Sequence, residues 1–355
     1  MLMFEVLRKF DLLDKVISME RYGRGFLNRT FLINTTEGLF VIQMFDSAVV
    51  TNPQSAIHNI KTVLHYLTGL KEATYFINHS LVESIDNGKI ISVDKKYWRC
   101  YKLNENTQLF KKVVNAHMMY EIGKGIGDFH FQLNNFPCSE LEISIPNFHQ
   151  TYTEYKKLIK TISKLDSLIA LSIFNEYRFV ENSSETIRLI SNLLENNEIP
   201  IRVAHNNIRL NNLLFDANTY QFKSIVGFEV IMPGTILYDF GEAVKYLAAT
   251  VREDEPNEEL IKLNIEYFEE FVRGYAEKTK SILTDTEIMH LIDAVHIMAI
   301  ESGIRYLNDY LNGEAEFKTE YKGQNLDKAR NQFALAKEVE LNRVKMENII
   351  NKYFS

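Results

Sequence analysis

The hydrophobic period of this chain changes near residue 108, and that change limits the possible folds more than any other feature. Before it, short β-branched or aromatic runs dominate: Val16 to Tyr22, Thr30 to Asn34 and Leu39 to Phe45, separated by Gly23-Arg24-Gly25 and Thr35-Thr36-Glu37-Gly38. They predict a three-stranded meander. A helical pattern follows Asn52-Pro53 (Ile57, Ile60, Val63, Leu64, Leu67), and strands at Ile90 to Val93 and Trp98 to Leu103 follow the hairpin signal Asp86-Asn87-Gly88. After residue 108 the period is near 3.6. Helices are predicted over 113–134, 150–165, 184–196 and 258–278, then a long one behind the capping box Thr284-Asp285-Thr286-Glu287, and a last one from Leu326 to Tyr353. The reading is an α+β chain of two lobes. Residues 1–104 form a small antiparallel β lobe with one helix, and residues 105–355 a larger, mainly helical lobe.

Composition narrows the setting. A formal charge of −7 with no basic run argues against nucleic acid as the main partner, because phosphate binding needs clustered Lys and Arg. Cys100 and Cys138 have no metal-ligand spacing and fit a reducing compartment. With no apolar run of membrane-spanning length and no long apolar start, a cytoplasmic protein without a membrane partner is expected. With only 15 Gly and 6 Pro in 355 residues, each one marks a turn or a close approach more often than usual.

The segment from Ile201 to Ala243 carries the chemistry. A His205-Asn206-Asn207 loop leads through Asn212 into a predicted hairpin, Leu213 to Phe215 and Phe222 to Phe228, joined by Asp216-Ala217-Asn218-Thr219. In phosphotransferases such a loop reads H-x-D-x-x-x-x-N. The Asp accepts a hydrogen bond from the attacking hydroxyl, the Asn coordinates magnesium, and a second Asp after the next strand holds the metal on the phosphates.

On these residues the chain resembles the N-acetylhexosamine 1-kinase group of the aminoglycoside phosphotransferase and choline kinase superfamily. The matching stretches are His205 to Asp216, Ile225 to Gly234, and Leu237-Tyr238-Asp239-Phe240-Gly241-Glu242. Further matches include Phe40-Val41-Ile42-Gln43, Trp98-Arg99-Cys100-Tyr101-Lys102, Gly127-Asp128-Phe129, and Glu301-Ser302-Gly303-Ile304-Arg305 through Asp309-Tyr310-Leu311. The resemblance implies a protein-kinase-like two-lobe fold, ATP and Mg²⁺ as cofactors, and a sugar substrate. It places Gly23, Gly25, Gln43 and Tyr101 near the nucleotide and Arg305, Asp309 and Asn207 near the sugar. His205 supports the loop. For Gln43 an inward strand position, for Tyr101 core packing, and for the two glycines a plain hairpin turn are the structural alternatives.

The departures fall on the chemistry. Asn207 stands where the group has its catalytic Asp, and Gly227, inside a predicted strand, stands where it has the metal-binding Asp. An amide cannot take up a proton at neutral pH. Asp239-Phe240-Gly241 spells a metal motif but lies beyond the Met232-Pro233-Gly234 turn, so its expected role is a helix cap or a brace for the 205–212 loop. Glu229 is the rescue candidate: two residues along a strand from Gly227 it would share a face and hold a metal with Asn212.

Two functions follow. The first is a pseudokinase that binds a sugar, a nucleotide or a partner protein. The second is an active ATP-dependent sugar or small-alcohol kinase using Asn212 and Glu229 for metal.

Overall fold

In the computed structural model, which describes residues 2–22, 28–45, 50–70, 81–103 and 107–355, an antiparallel sheet builds the small lobe. Helix α1 (Leu2–Lys9) precedes β1 (Val16–Tyr22), β2 (Asn28–Thr35) and β3 (Gly38–Phe45); α2 (Pro53–Gly69), β4 (Ile90–Val93) and β5 (Lys96–Lys102) complete the lobe. The strand order is β1-β2-β3-β5-β4. Alternation along β3 decides its two faces. Phe40, Ile42 and Met44 pack with Ile33, Trp98, Cys100 and the α1 residues Val6 and Leu7, whereas Val41 and Gln43 face the opposite way, into a cleft between the lobes.

Helix α2 ties the small lobe to the large one. Asn52 caps its start by accepting from the Ser55 N–H, with Pro53 in the first turn. Asn59 on its buried face donates to the Glu142 and Ile231 carbonyls at 2.7 and 2.8 Å.

The large lobe begins with β6 (Thr107–Gln108) and α3 (Ala116–Gln132), then α4 (Thr151–Ile162), α5 (Ser167–Ser172), α6 (Phe174–Asn182) and α7 (Leu189–Glu195). Strands β7 (Arg202–Ala204), β8 (Leu213–Asp216), β9 (Phe222–Ile225) and β10 (Met232–Gly234) carry the motif segment, with pairings β6-β8-β9 and β7-β10. Helices α8 (Ile236–Leu247), α9 (Ile265–Thr279), α10 (Asp285–Met289), α11 (Leu291–Leu311), α12 (Gln324–Leu341) and α13 (Arg343–Phe354) follow. Glycine sets the closest contact in this core: a Cβ at Gly123 of α3 would lie 2.0 Å from the Phe271 carbonyl oxygen of α9. The α+β two-lobe architecture read from the period change is the one observed.

Several local readings need correction. The hairpin between β4 and β5 turns at Asp94-Lys95, both at positive φ (52° and 57°), and Asp86-Asn87-Gly88 lies before β4 in a separate turn. The Thr284 capping box is present, yet it starts the short α10 rather than the long α11. The C-terminal tail is two helices, broken at Asn342. Most consequentially, β9 ends at Ile225, so Gly227 is not in a strand. It has φ 91° and ψ 35° and leads into a 3₁₀ turn at Phe228–Val230. The lobe boundary at residues 104 and 105 lies outside the described residues. Among the described residues no helix is long and apolar enough to cross a membrane.

Candidate functional site

The 205–212 loop is held by a carboxylate that takes no part in lining the cleft. Asp239, fully buried in the first turn of α8, accepts the His205 and Asn206 backbone N–H groups at 2.7 Å each and the His130 Nε2 at 3.0 Å. His205 donates from Nε2 to the Val226 carbonyl at 3.0 Å and accepts the Asn207 N–H at Nδ1, an arrangement satisfied by the neutral imidazole. Burial pushes its pKa below the ordinary value, in keeping with that tautomer. Asn206 sits at φ 61° and donates to the Ala204 and Val230 carbonyls. The loop is thus fixed through backbone groups and needs no acid at position 207.

Asn207, half-buried, lines the cleft. Asn212 also lines it and donates from Nδ2 to the Asn207 carbonyl at 2.9 Å. A Cβ built on Gly227 would stand 2.7 Å from Cγ and 2.8 Å from each terminal atom of Asn212. The Asn212 amide therefore occupies the space where a side chain at 227 would begin. Glu229 does not join it. The 3₁₀ turn after Gly227 removes the strand alternation on which that pairing rested, and Glu229 Oε1 instead meets the buried Arg99 guanidinium at 2.6 Å. Glu229 is absent from the cleft lining, and no group of three or more His, Cys, Asp or Glu capable of holding a metal occurs among the described residues. Asn212 is thus without the Glu229 partner that the sequence reading gave it.

The small-lobe side of the cleft differs. Val41, Leu103 and Leu214 form a small aliphatic cluster, with Leu109 and Val226 packed against it, drawn from both lobes and open to the cleft. Such a slot suits the flat, weakly polar faces of an adenine ring. Tyr101 borders it, its ring 4.9 Å from the Arg99 guanidinium carbon and its buried hydroxyl without a partner among the described residues. Gln43 also lines the cleft, but its amide is engaged: Oε1 accepts from Arg99 at 3.0 and 2.7 Å, and Nε2 reaches Thr30 at 3.3 Å. Gly23 and Gly25 lie outside the described residues.

Helix α11 builds the other end. Met298, Glu301, Ser302 and Arg305 recur at helical spacing and line the cleft together. Arg305 lies over the Phe317 ring at 5.3 Å and makes only a 3.5 Å contact with Glu316. Asp309 is corrected from a substrate contact to an anchor. Its carboxylate accepts the Glu316 and Phe317 N–H groups at 2.8 and 3.0 Å and the Asn325 amide at 2.8 Å, which places Phe317 against the cleft.

Charged groups on α8 and in the 205–212 loop meet α11 in a way the sequence did not indicate. Glu242 pairs with Lys245 at 3.0 Å and with Arg209 at 3.3 Å, and Lys245 donates to the Ser302 hydroxyl at 2.8 Å. Burial raises the Glu242 carboxyl, but the two cations outweigh it and hold the pKa down to about 2. Glu301 accepts from His149 Nδ1 at 2.8 Å and from the Thr151 hydroxyl at 2.6 Å. The four-residue spacing of Glu301 and Arg305 read from the sequence puts both on one face of α11, and both line the cleft; nothing in the sequence pointed to His149.

The sequence profile of the phosphotransferase enzyme family matches residues 18–277. Among solved structures, a microcompartment-associated aminopropanol kinase is similar, with TM-score 0.67, 16% identity, and coverage of 97% of this chain and 98% of that one. Choline kinase from Cryptosporidium parvum has TM-score 0.59 at 14% identity, covering 99% and 98%. Spectinomycin phosphotransferase, solved in complex with ADP and spectinomycin, has TM-score 0.53 at 13% identity, covering 95% and 97%.

Proposed function

This chain belongs to the phosphotransferase enzyme family, and we propose that within it the protein is a pseudokinase: it holds a sugar or nucleotide in the interlobe cleft, or presents the cleft to a partner protein, without transferring phosphate. The observation that carries the reading is the Asn207–Asn212–Gly227 arrangement. One amide replaces the base, a second fills the volume where a metal-binding side chain would start, and Glu229, the acid two residues after Gly227, is committed to Arg99. A positioned base contributes on the order of 10²- to 10⁴-fold. Loss of the metal carboxylate is graver, since phosphoryl transfer rests on positioning and on neutralising phosphate charge.

ATP binding is supported by the aliphatic slot at Val41, Leu103 and Leu214 and by the Tyr101 hydroxyl. The test is turnover with ATP and magnesium against N-acetylglucosamine, N-acetylgalactosamine and galactose. Choline, ethanolamine and aminopropanol are added because solved relatives of the same fold are named for them. The expected result is no product above background, with ATP raising the unfolding midpoint equally with and without magnesium. Clear turnover of any of these alcohols overturns the proposal.

A further inference from the structure

His149 lines the cleft. Its backbone φ is 56°, and at 8% exposure it is buried against Phe148 and Tyr238, with ring centroids at 4.3 and 4.8 Å. The ring is held by Glu301. Its two carboxylate oxygens accept from His149 Nδ1 and from Thr151. Because an ionised carboxylate can only accept, Nδ1 must carry a proton. In the neutral imidazole the lone pair then lies on Nε2, and that atom is buried without a hydrogen-bond partner among the described residues. A buried polar atom left without a partner costs on the order of 1–3 kcal/mol, so the arrangement gains when a ligand supplies a donor.

We infer that His149 is a ligand-binding residue whose Nε2 accepts a hydrogen bond from a hydroxyl of the bound molecule, with Glu301 and Thr151 as the positioning residues that fix its tautomer. Asn207 and Arg305 line the same cleft and add an amide and a guanidinium as further polar contacts. The inference concerns the cleft itself and stands whether or not phosphate is transferred.

The variant that isolates Nε2 is His149→Asn. An asparagine amide nitrogen overlays Nδ1, so it retains the donor to Glu301, tolerates positive φ, and removes the distal edge of the ring, Nε2 with Cε1. Histidine ¹⁵N resonances of the full chain, with the His149 signals identified by their loss in H149N, report the tautomer directly. Nε2 without a bound proton is expected, and its resonance should move when N-acetylglucosamine, N-acetylgalactosamine or galactose is added. Binding of the sugar that moves it should weaken about five- to tenfold in H149N, measured well below that variant's unfolding midpoint. A proton found on Nε2 at neutral pH, a resonance that no sugar shifts, or equal sugar affinity in H149N would each overturn the inference. None of these readouts uses ATP or turnover. Kinase activity would refute the pseudokinase reading and leave this one standing, and the reverse holds if sugars fail here.

Discussion

Placing an acid at position 227 should damage the protein before it helps any catalysis. Gly227→Asp introduces a Cβ at φ 91°, where an L-residue pays roughly 1–2 kcal/mol, Asp toward the low end. That Cβ would lie 2.7 Å from Asn212 Cγ, so the amide must swing away and give up its 2.9 Å bond to the Asn207 carbonyl, a further loss of about 1 kcal/mol. The sum is about 2–3 kcal/mol, read as a shift in the urea unfolding midpoint at constant slope. The second term exists only while Asn212 is present. In an Asn212→Ala background the cost of Gly227→Asp should fall to the backbone part, so the double-mutant cycle returns a coupling of about 1 kcal/mol. For the same reason Asn207→Asp with Gly227→Asp should give no more magnesium-dependent turnover than Asn207→Asp alone. If Gly227→Asp left the midpoint unchanged, or cost the same with and without Asn212, the account of Gly227 as a position shaped around that amide would be wrong.

Three other perturbations are quantitative. Glu229→Gln strips the charge from an ion pair whose partners are 0% and 1% exposed, and it should cost about 3 kcal/mol of stability with or without magnesium; an unchanged midpoint would refute the structural role given to Glu229. Gly123→Ala forces α3 from α9, because the new Cβ would meet the Phe271 carbonyl, and a loss of about 3 kcal/mol is expected by urea unfolding. Glu242 has a folded pKa near 2 against an ordinary 4.5, so its contribution of about 3 kcal/mol is complete above pH 4.5 and disappears as pH falls through 2. Glu242→Gln should therefore flatten the stability curve in that acid window, and a curve of unchanged slope would show that Lys245 and Arg209 do not hold the carboxylate ionised.

Much of the architecture was legible because period and burial are local. The meander strands were read close to their observed limits, since alternation along Phe40, Ile42 and Met44 is imposed by one apolar face. The turn at Asp94-Lys95 escaped because Lys is a poor marker of positive φ, while Asn87-Gly88 is a conspicuous one. Glu229 was misjudged for a similar reason: its proposed role assumed a strand through residue 228, and the chain leaves the strand at Ile225. The His149–Glu301 pair could not be read at all. Its members are 152 positions apart, and only the packing of the loop before α4 onto α11 brings them together.

The persistence of a kinase-like loop around Asn207 has a physical explanation that separates shape from chemistry. Asp239 accepts the His205 and Asn206 N–H groups and is itself held by His130, so the bend of the loop is set by a buried carboxylate that never faces the cleft. Residue 207 can change from acid to amide without any of these bonds being lost. The same holds on the opposite side, where the His205 bond to the Val226 carbonyl fixes the chain just ahead of Gly227 whatever side chain follows. A loop of the expected shape is therefore no sign of an active loop. What marks this loop is the Asn212 amide lying where a side chain at 227 would start, so that an acid there must first displace it. Position 227 favours glycine on two counts: its φ is 91°, and the Asn212 amide lies against it.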